Sequence, residues 1–134
     1  MTLIDTNVLL DLVTDDRVWA DWSIGQLEAA SLVGPLLIND IVYAELAVRY
    51  ERIEDLDAFL ESAQLIIRPI PRAALFLAGK VFTRYRRAGG SRTGVLPDFL
   101  IGAHAAVERL PVLTRDIGRY RTYFPTLTLI APAG

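Results

Sequence analysis

Four acidic residues stand where they could act together on a metal ion. Asp5 and Asp116 each come just after a short apolar segment typical of a buried strand, and Asp98 stands at the start of an apolar helical segment. Glu45 interrupts a helical segment that has almost no polar face, so we expect its side chain to be partly buried. Carboxylates that lie close together repel one another unless a cation neutralises them. If these side chains meet, they would therefore form a site for a divalent cation.

Magnesium is the metal that fits such a site best. It prefers oxygen ligands, keeps several waters, and is typically held by one or two carboxylates together with phosphate oxygens. A magnesium ion can polarise a phosphodiester and activate a water, so a side-chain nucleophile would not be needed. The chain has no cysteine and a single histidine, His104, which leaves little for zinc to bind. We expect His104 to be a packed residue of an apolar helix rather than a ligand.

The elements that would position these acids alternate between strands and helices. The predicted strands are residues 2–4, 36–38, 65–70, 112–114 and 127–130, and the predicted helices are residues 6–13, 17–32, 40–50, 53–62, 72–87 and 98–109. Short apolar strands separated by helices predict an α/β fold of three layers, a parallel sheet flanked by helices on both faces. Ligands of such folds bind beyond the carboxyl ends of the strands.

Each acid also has a purely structural interpretation. Asp98 could cap a helix, and Asp5 and Asp116 could cap the helices that follow them. Glu45 could form a helical ion pair with Arg49, four residues further on. These interpretations do not explain why all the acids occupy positions that an α/β sheet would bring to one end.

Chain length and composition indicate one ordinary globular domain. At 134 residues the chain can bury one substantial core, so we predict a single domain over residues 1–134. The absence of cysteine fits a reducing compartment. Neither a signal peptide nor a membrane-spanning segment is recognisable, and we expect a cytoplasmic protein that does not contact the membrane.

The charges are divided unevenly along the chain. Residues 1–61 contain 13 acids and 3 bases, whereas residues 62–134 contain 3 acids and 11 bases. No acid occurs between Ser62 and Pro97, and arginine, which dominates the bases there, suits bidentate contact with phosphate. A solvated helix face would explain any one of these arginines, but the cluster favours an anionic partner such as RNA. The RNA-binding candidates are Arg84, Arg86, Arg87 and Arg92.

Four segments of the chain carry a family resemblance, and they extend over nearly its whole length. They are Leu3-Ile4-Asp5-Thr6-Asn7, residues 39–46, residues 96–105 and Leu113-Thr114-Arg115-Asp116. In this order and at this spacing they resemble the PIN domain, and within it the VapC-type toxins of bacterial toxin–antitoxin pairs.

The resemblance implies a metal-dependent ribonuclease. It implies that Mg²⁺, for which Mn²⁺ could substitute, is held by a catalytic quartet of Asp5, Glu45, Asp98 and Asp116. Thr6, Asn7 and Thr114 would orient a carboxylate or a metal-bound water. Their structural alternatives are that Thr6 and Asn7 cap the first helix and that Thr114 only ends a strand.

The resemblance also implies a cognate antitoxin protein and a homodimer. Apolar residues of the first two helices could form a groove for a partner helix: Val8, Leu9, Leu12, Val13, Val18, Trp19 and Trp22. Two other functions stay open. One is a receiver-type phosphoryl-transfer domain, which would need a lysine near the site, whereas the only lysine is Lys80. The other is a catalytically silent RNA-binding module of the same fold.

Overall fold

The computed structural model describes residues 1–92 and 94–133, which form five strands and seven helices. The strands are β1 (Thr2–Ile4), β2 (Leu36–Ile38), β3 (Leu65–Ile67), β4 (Val112–Leu113) and β5 (Leu129–Ile130). The helices are α1 (Thr6–Val13), α2 (Ala20–Val33), α3 (Asp40–Ala47), α4 (Ile53–Ser62), α5 (Arg72–Arg87), α6 (Leu96–Glu108) and α7 (Gly118–Arg121). The predicted α/β fold is confirmed.

The five strands form one parallel sheet in the order β3-β2-β1-β4-β5. The chain runs from β1 outward to β3 and then crosses back to β4 and β5. Because parallel crossovers are right-handed, this reversal places α1–α4 on one face and α5–α7 on the other. The direction changes between β1 and β4, which is where open α/β sheets bind their ligands. Asp5 directly follows β1, so the topology places it at this point.

The core lies between the sheet and the helices on both of its faces. Leu3 and Ile4 of the central strand β1 and Leu113 of its neighbour β4 are fully buried, as short strands covered on both faces require. On α6, residues 101–105 are all buried, including His104. The Nδ1 of His104 lies 3.2 Å from the Nδ2 of Asn39, which confirms that His104 is a packed residue.

Several predicted element bounds were wrong. Helix α2 begins at Ala20 rather than residue 17, because Asp16 accepts hydrogen bonds from the backbone N–H groups of Val18 and Trp19 in a preceding turn. Helix α6 begins at Leu96, two residues earlier than predicted. Helix α3 ends at residue 47 rather than 50, β3 at 67 rather than 70 and β4 at 113 rather than 114, and β5 begins at 129 rather than 127.

The apolar residues proposed as a partner groove are divided between core and surface. Val8 and Leu9 are fully buried in the core and cannot contact a partner, so this part of the prediction was wrong. Val18 is exposed, and Trp19 and Trp22 are half-buried with their rings packed edge to face at 5.8 Å. No helix among the described residues is long and apolar enough to cross a membrane.

Candidate active site

Asp5 is the buried centre of the candidate site. Its side chain has no exposed area, and three side chains donate hydrogen bonds to its Oδ2: the Tyr120 hydroxyl at 2.8 Å, the Thr114 hydroxyl at 2.8 Å and the Asn7 amide at 3.3 Å. The backbone N–H of Thr6 donates to Oδ1 at 2.7 Å. Because Oδ2 is occupied by these donors, Oδ1 is the oxygen that faces the other acids.

Asp98 and Asp116 join Asp5 around one guanidinium. The Nη1 atom of Arg119 lies 3.2 Å from Asp98 Oδ1 and 3.8 Å from Asp5 Oδ1, and its Nε lies 3.2 Å from Asp116 Oδ2. The side chain of Asp98 is 24% exposed and that of Asp116 is 52% exposed, so the cluster opens to solvent on their side. The carboxyl ends of β1 and β4 and the first turn of α6 thus bring three of the predicted acids together.

Glu45 reaches the cluster through Thr6. It lies on α3 and is half-buried, as expected, and its Oε1 accepts a hydrogen bond from the Thr6 hydroxyl at 2.7 Å. Thr6 therefore connects Glu45 to Asp5, to which its backbone N–H donates. Among the described residues Glu45 makes no ion pair with Arg49, so the surface-pair interpretation is not supported.

The acids perturb one another and their neighbours. Burial raises the pKa of the Asp98 carboxyl, and the negative charges of Asp5, Glu45 and Asp116 raise it further, against the lowering effect of Arg119. Burial and the adjacent Asp5 raise the pKa of the Tyr120 hydroxyl well above its usual range, so it remains a hydrogen-bond donor to that carboxylate. The carboxylates also keep Arg119 charged, since they raise its pKa more than burial lowers it.

The capping interpretations apply to one acid only. Asp5 is the N-cap residue of α1 and accepts the N–H of Thr6, a role that it fills together with its contacts to the cluster. The N-cap of α6 is Val95, and Asp98 lies inside the first turn without capping it. The N-cap of α7 is Ile117, so Asp116 is not a cap either. N-capping therefore does not explain Asp98 and Asp116.

The donor set fits a hard divalent cation, although Arg119 now supplies the positive charge. All four candidate side chains are carboxylates, and magnesium needs only one or two of them besides water and phosphate. Within residues 1–92 and 94–133, no three acidic or histidine side chains are grouped closely enough to hold one ion as they stand. A metal ion would therefore take over from the Arg119 guanidinium as counter-charge of the cluster.

A second ion pair fixes the loop that carries Asp116. The Nε and Nη2 of Arg115 donate to the two oxygens of Asp11 at 2.7 and 2.9 Å, and Ser23 donates to the same carboxylate at 2.7 Å. The Arg115 guanidinium also lies 5.1 Å from the centre of the Trp19 ring. The Arg115 backbone N–H donates to Asn7 at 3.1 Å. These contacts attach the residues after β4 to α1.

Two cavities flank the Arg119 side chain. One, of about 290 Å³, is lined by Thr6, Asn7 and Glu45 among others. The other, of about 280 Å³, is lined by Asp98, Asp116 and neighbouring aromatic residues. Of the residues that the structure describes, Arg119 is the one that lines both, so its side chain lies between a cavity beside Glu45 and a cavity beside Asp98 and Asp116.

The RNA-binding candidates lie at two places. Arg84, Arg86 and Arg87 are exposed on the last turn of α5, where their charge also suits the negative end of the helix dipole. Arg92 lines the 280 Å³ cavity together with Asp98, much closer to the acids. The lone Lys80 is exposed on α5, with its amine 5.0 Å from the centre of the Phe76 ring, which counts against a receiver-type site.

Arg119 and Tyr120 were missed at the level of sequence, which assigned no helix or strand between the fourth and fifth predicted strands. Residues 118–121 form α7, and this turn carries the guanidinium and the hydroxyl back to the acids. Their only signal in the sequence was the spacing of three and four residues from Asp116, which places side chains on one side of a helical turn. The expected contacts of Thr6, Asn7 and Thr114 with carboxylates are present.

A family model described as "PIN domain" matches residues 2–125 of the chain. This agrees with the PIN-like fold expected from the sequence. The chain gave no significant match among proteins of curated function.

Solved structures of similar fold include three toxin–antitoxin complexes. "VapBC2 from Rickettsia felis bound to a DNA fragment from their promoter" is 23% identical, with 98% of each chain covered and a TM-score of 0.75. A "toxin-antitoxin complex from Klebsiella pneumoniae" is 23% identical, with 99% of this chain and 98% of the other covered and a TM-score of 0.68. "VapBC-1 from nontypeable Haemophilus influenzae" is 17% identical, with 97% and 96% covered and a TM-score of 0.70.

Proposed function

Because the chain belongs to the PIN-domain family, we propose that it is a magnesium-dependent endoribonuclease and the toxin of a toxin–antitoxin pair. The observation that carries the proposal is the meeting of Asp5, Asp98 and Asp116 around one guanidinium at the switch point of the sheet. Such a cluster of carboxylates would suit a divalent cation that takes the place of the guanidinium.

The chain's own residues prepare the cluster for that chemistry. Tyr120, Thr114 and Asn7 hold Oδ2 of Asp5 and leave Oδ1 facing the cluster. Thr6 orients Glu45 in the same way. Magnesium, held by Asp5 with Asp98, Asp116 and Glu45, would supply a Lewis acid and a water of lowered pKa for hydrolysis of the RNA. Arg119, once released from the carboxylates, is a bidentate donor suited to a phosphate oxygen.

The test is cleavage of labelled RNA by the purified chain, in Mg²⁺, in Mn²⁺ and in chelator. Asp116→Asn is the decisive variant, because Asp116 is 52% exposed and its replacement should leave the fold intact. Asp57→Asn is its matched control, since Asp57 is an exposed aspartate that accepts a hydrogen bond from Tyr43 away from the cluster. We expect the chain to cleave RNA only when the metal is present. Asp116→Asn should lose this activity, and Asp57→Asn should keep it.

One observation favours the alternative of a catalytically silent RNA-binding module. Arg119 neutralises the cluster as it stands, so a chain that never exchanges it for a metal would bind RNA without cutting it. RNA binding that persists without cleavage in either metal would establish this alternative.

The toxin role and the antitoxin partner are supported by the fold shared with toxin–antitoxin complexes. The homodimer remains an expectation from the family resemblance. We expect expression of the chain alone in bacterial cytoplasm to arrest growth, and Asp116→Asn to relieve the arrest. Light scattering of the purified chain tests the dimer. Co-purification with the product of the adjacent gene tests the antitoxin, and failure of that pair to associate would contradict the assignment.

A further inference from the structure

The cavity on the Asp98 side of Arg119 combines three kinds of side chain. It has a volume of about 280 Å³ and is open to solvent beside the acids. Its aromatic residues include Tyr85 and Tyr123, its cations are Arg92 and Arg119, and its carboxylates are Asp98 and Asp116. The site described above uses the carboxylates and Arg119, but it gives no role to the tyrosines.

The aromatic side chains of the cavity pack against one another. The ring of Phe99 packs edge to face against Tyr123 at 5.2 Å and against Tyr85 at 5.7 Å, and the two tyrosine rings are 6.1 Å apart. The Tyr85 hydroxyl accepts the backbone N–H of Arg92 at 2.9 Å. Phe99 is buried beneath, whereas both tyrosines are half-buried and keep part of their surface in the cavity. A ligand in the cavity would therefore contact the exposed part of both tyrosine rings.

This combination matches one nucleotide. Bases stack on aromatic side chains, and arginine guanidinium groups bind the phosphates on either side. The cavity is at the lower end of the size range of small-molecule sites, which suits a single base. An unpaired base can turn out of its stack to enter such a site without the cost of breaking a base pair. Asp98 and Asp116 line both the cavity and the metal cluster, so a base there would leave its adjoining phosphate at the acids.

We propose that this cavity binds one unpaired base of the RNA, next to the phosphodiester on which the acids act. The inference rests on the proposed function and adds to it the recognition of a base beside the bond. Tyr123 stacks with that base, and Tyr85, whose ring lies at 75° to that of Tyr123, contacts the base edge to face. Arg92 contacts a neighbouring phosphate.

The experiment measures binding rather than cleavage. Fluorescein-labelled RNA hexamers, intact or with one abasic ribose at each position in turn, are titrated with protein in Mg²⁺ by anisotropy. All proteins carry Glu45→Gln, which lies in the other cavity and prevents cutting if the proposed function holds. We expect one abasic position to lower affinity about tenfold, the size of one base–aromatic stack. The same sequence in a duplex should bind more weakly.

Three variants locate the effect. Tyr123→Leu should bind intact RNA about tenfold more weakly and lose its sensitivity to the abasic position. Tyr123→Phe keeps the ring and should restore both properties. Tyr50→Leu is the matched control, because Tyr50 is also half-buried, packs on Phe59 at 6.4 Å and lines a separate cavity of about 200 Å³. It should behave like the parent.

The proposal is overturned if no abasic position matters, or if Tyr123→Leu remains as sensitive to it as the parent. Thermal melting of Tyr123→Leu and the Tyr123→Phe rescue separate loss of the ring from loss of the fold. Failure of the proposed function gives a different result. The wild-type chain then cuts no RNA in Mg²⁺, while one abasic position still lowers the affinity of the Glu45→Gln protein for RNA.

Discussion

Replacing Arg119 with glutamine should destabilise the metal-free protein and strengthen its response to magnesium. The guanidinium is the positive charge at the centre of the cluster, within 3.2 Å of Asp98 and Asp116 and 3.8 Å of Asp5. Removing it leaves these carboxylates facing one another without a counter-charge. Added magnesium would then bind without displacing a cation.

The magnitude follows from the exposure of the partners. The pair with Asp116, which is 52% exposed, is worth at most about 1 kcal/mol. Breaking a fully buried pair costs about 3 to 5 kcal/mol, but Asp5 keeps its four hydrogen bonds and Asp98 is 24% exposed. We therefore expect Arg119→Gln to lower the free energy of unfolding in chelator by about 2 kcal/mol, intermediate between these limits. That corresponds to a fall in melting temperature of roughly 6 to 10 °C.

The assay is thermal and urea unfolding in chelator and along a magnesium titration. If the variant binds Mg²⁺ tenfold more tightly, excess metal should stabilise it by about 1.4 kcal/mol more than it stabilises wild type. Arg121→Gln is the control, because Arg121 is exposed on the same helix and forms no ion pair within the described part of the chain. An Arg119→Gln protein with the stability of this control and the magnesium response of wild type would refute the reasoning.

Three further predictions concern the acids and the arginines. Burial raises the pKa of Asp98 above its ordinary 3.8, so ionising this carboxyl costs more in the metal-free fold than in the unfolded chain, and the fold loses stability as the pH rises from 3.8 through the raised pKa. In chelator at neutral pH, Asp98→Asn should accordingly have a higher melting temperature than wild type, and this difference should disappear in acid. Magnesium should raise the melting temperature of the variant less than that of wild type. A difference in melting temperature that does not depend on pH would contradict this reasoning. Glu45→Gln should abolish RNA cleavage and Arg49→Ala should not. Equal and small effects of the two substitutions would favour the interpretation of Glu45 as half of an ion pair with Arg49. Reversing the charge of Arg84, Arg86 and Arg87 to glutamate should weaken the binding of unrelated RNAs to a similar degree. It should also reduce the slope of log K against log salt by about 1 for each phosphate that is no longer neutralised. Unchanged affinities in anisotropy titrations would show that these arginines form only a solvated helix face.

The parts of the site that lie at strand ends could be predicted from the sequence. Asp5 and Asp116 follow apolar strands, and the carboxyl ends of parallel strands meet at one edge, so their proximity could be deduced before any coordinates. Glu45 was recognisable because a carboxylate in an apolar helix needs a partner. The partner itself, the Thr6 hydroxyl, became visible only with the packing of α1 against α3.

The parts of the site that could not be predicted from the sequence depend on short segments without a hydrophobic period. Helix α7 is one turn of four residues, too short for a hydrophobic period to reveal it, yet it places Arg119 and Tyr120 against Asp5. The aromatic cavity likewise joins α5, α6 and residues after α7, a juxtaposition that no local pattern encodes. The same limit explains why Val8 and Leu9 were assigned to a surface: an apolar helix face does not say what covers it.

The contacts of Asp5 also bear on when the protein becomes competent during its own synthesis. Thr114 and Tyr120, which hold this carboxylate, lie 109 and 115 residues away from it along the chain. Chains emerge from the ribosome amino end first, so the first acid is made well before the groups that orient it. A nascent chain can therefore complete the hydrogen bonds of Asp5 only after Thr114 and Tyr120 have been translated.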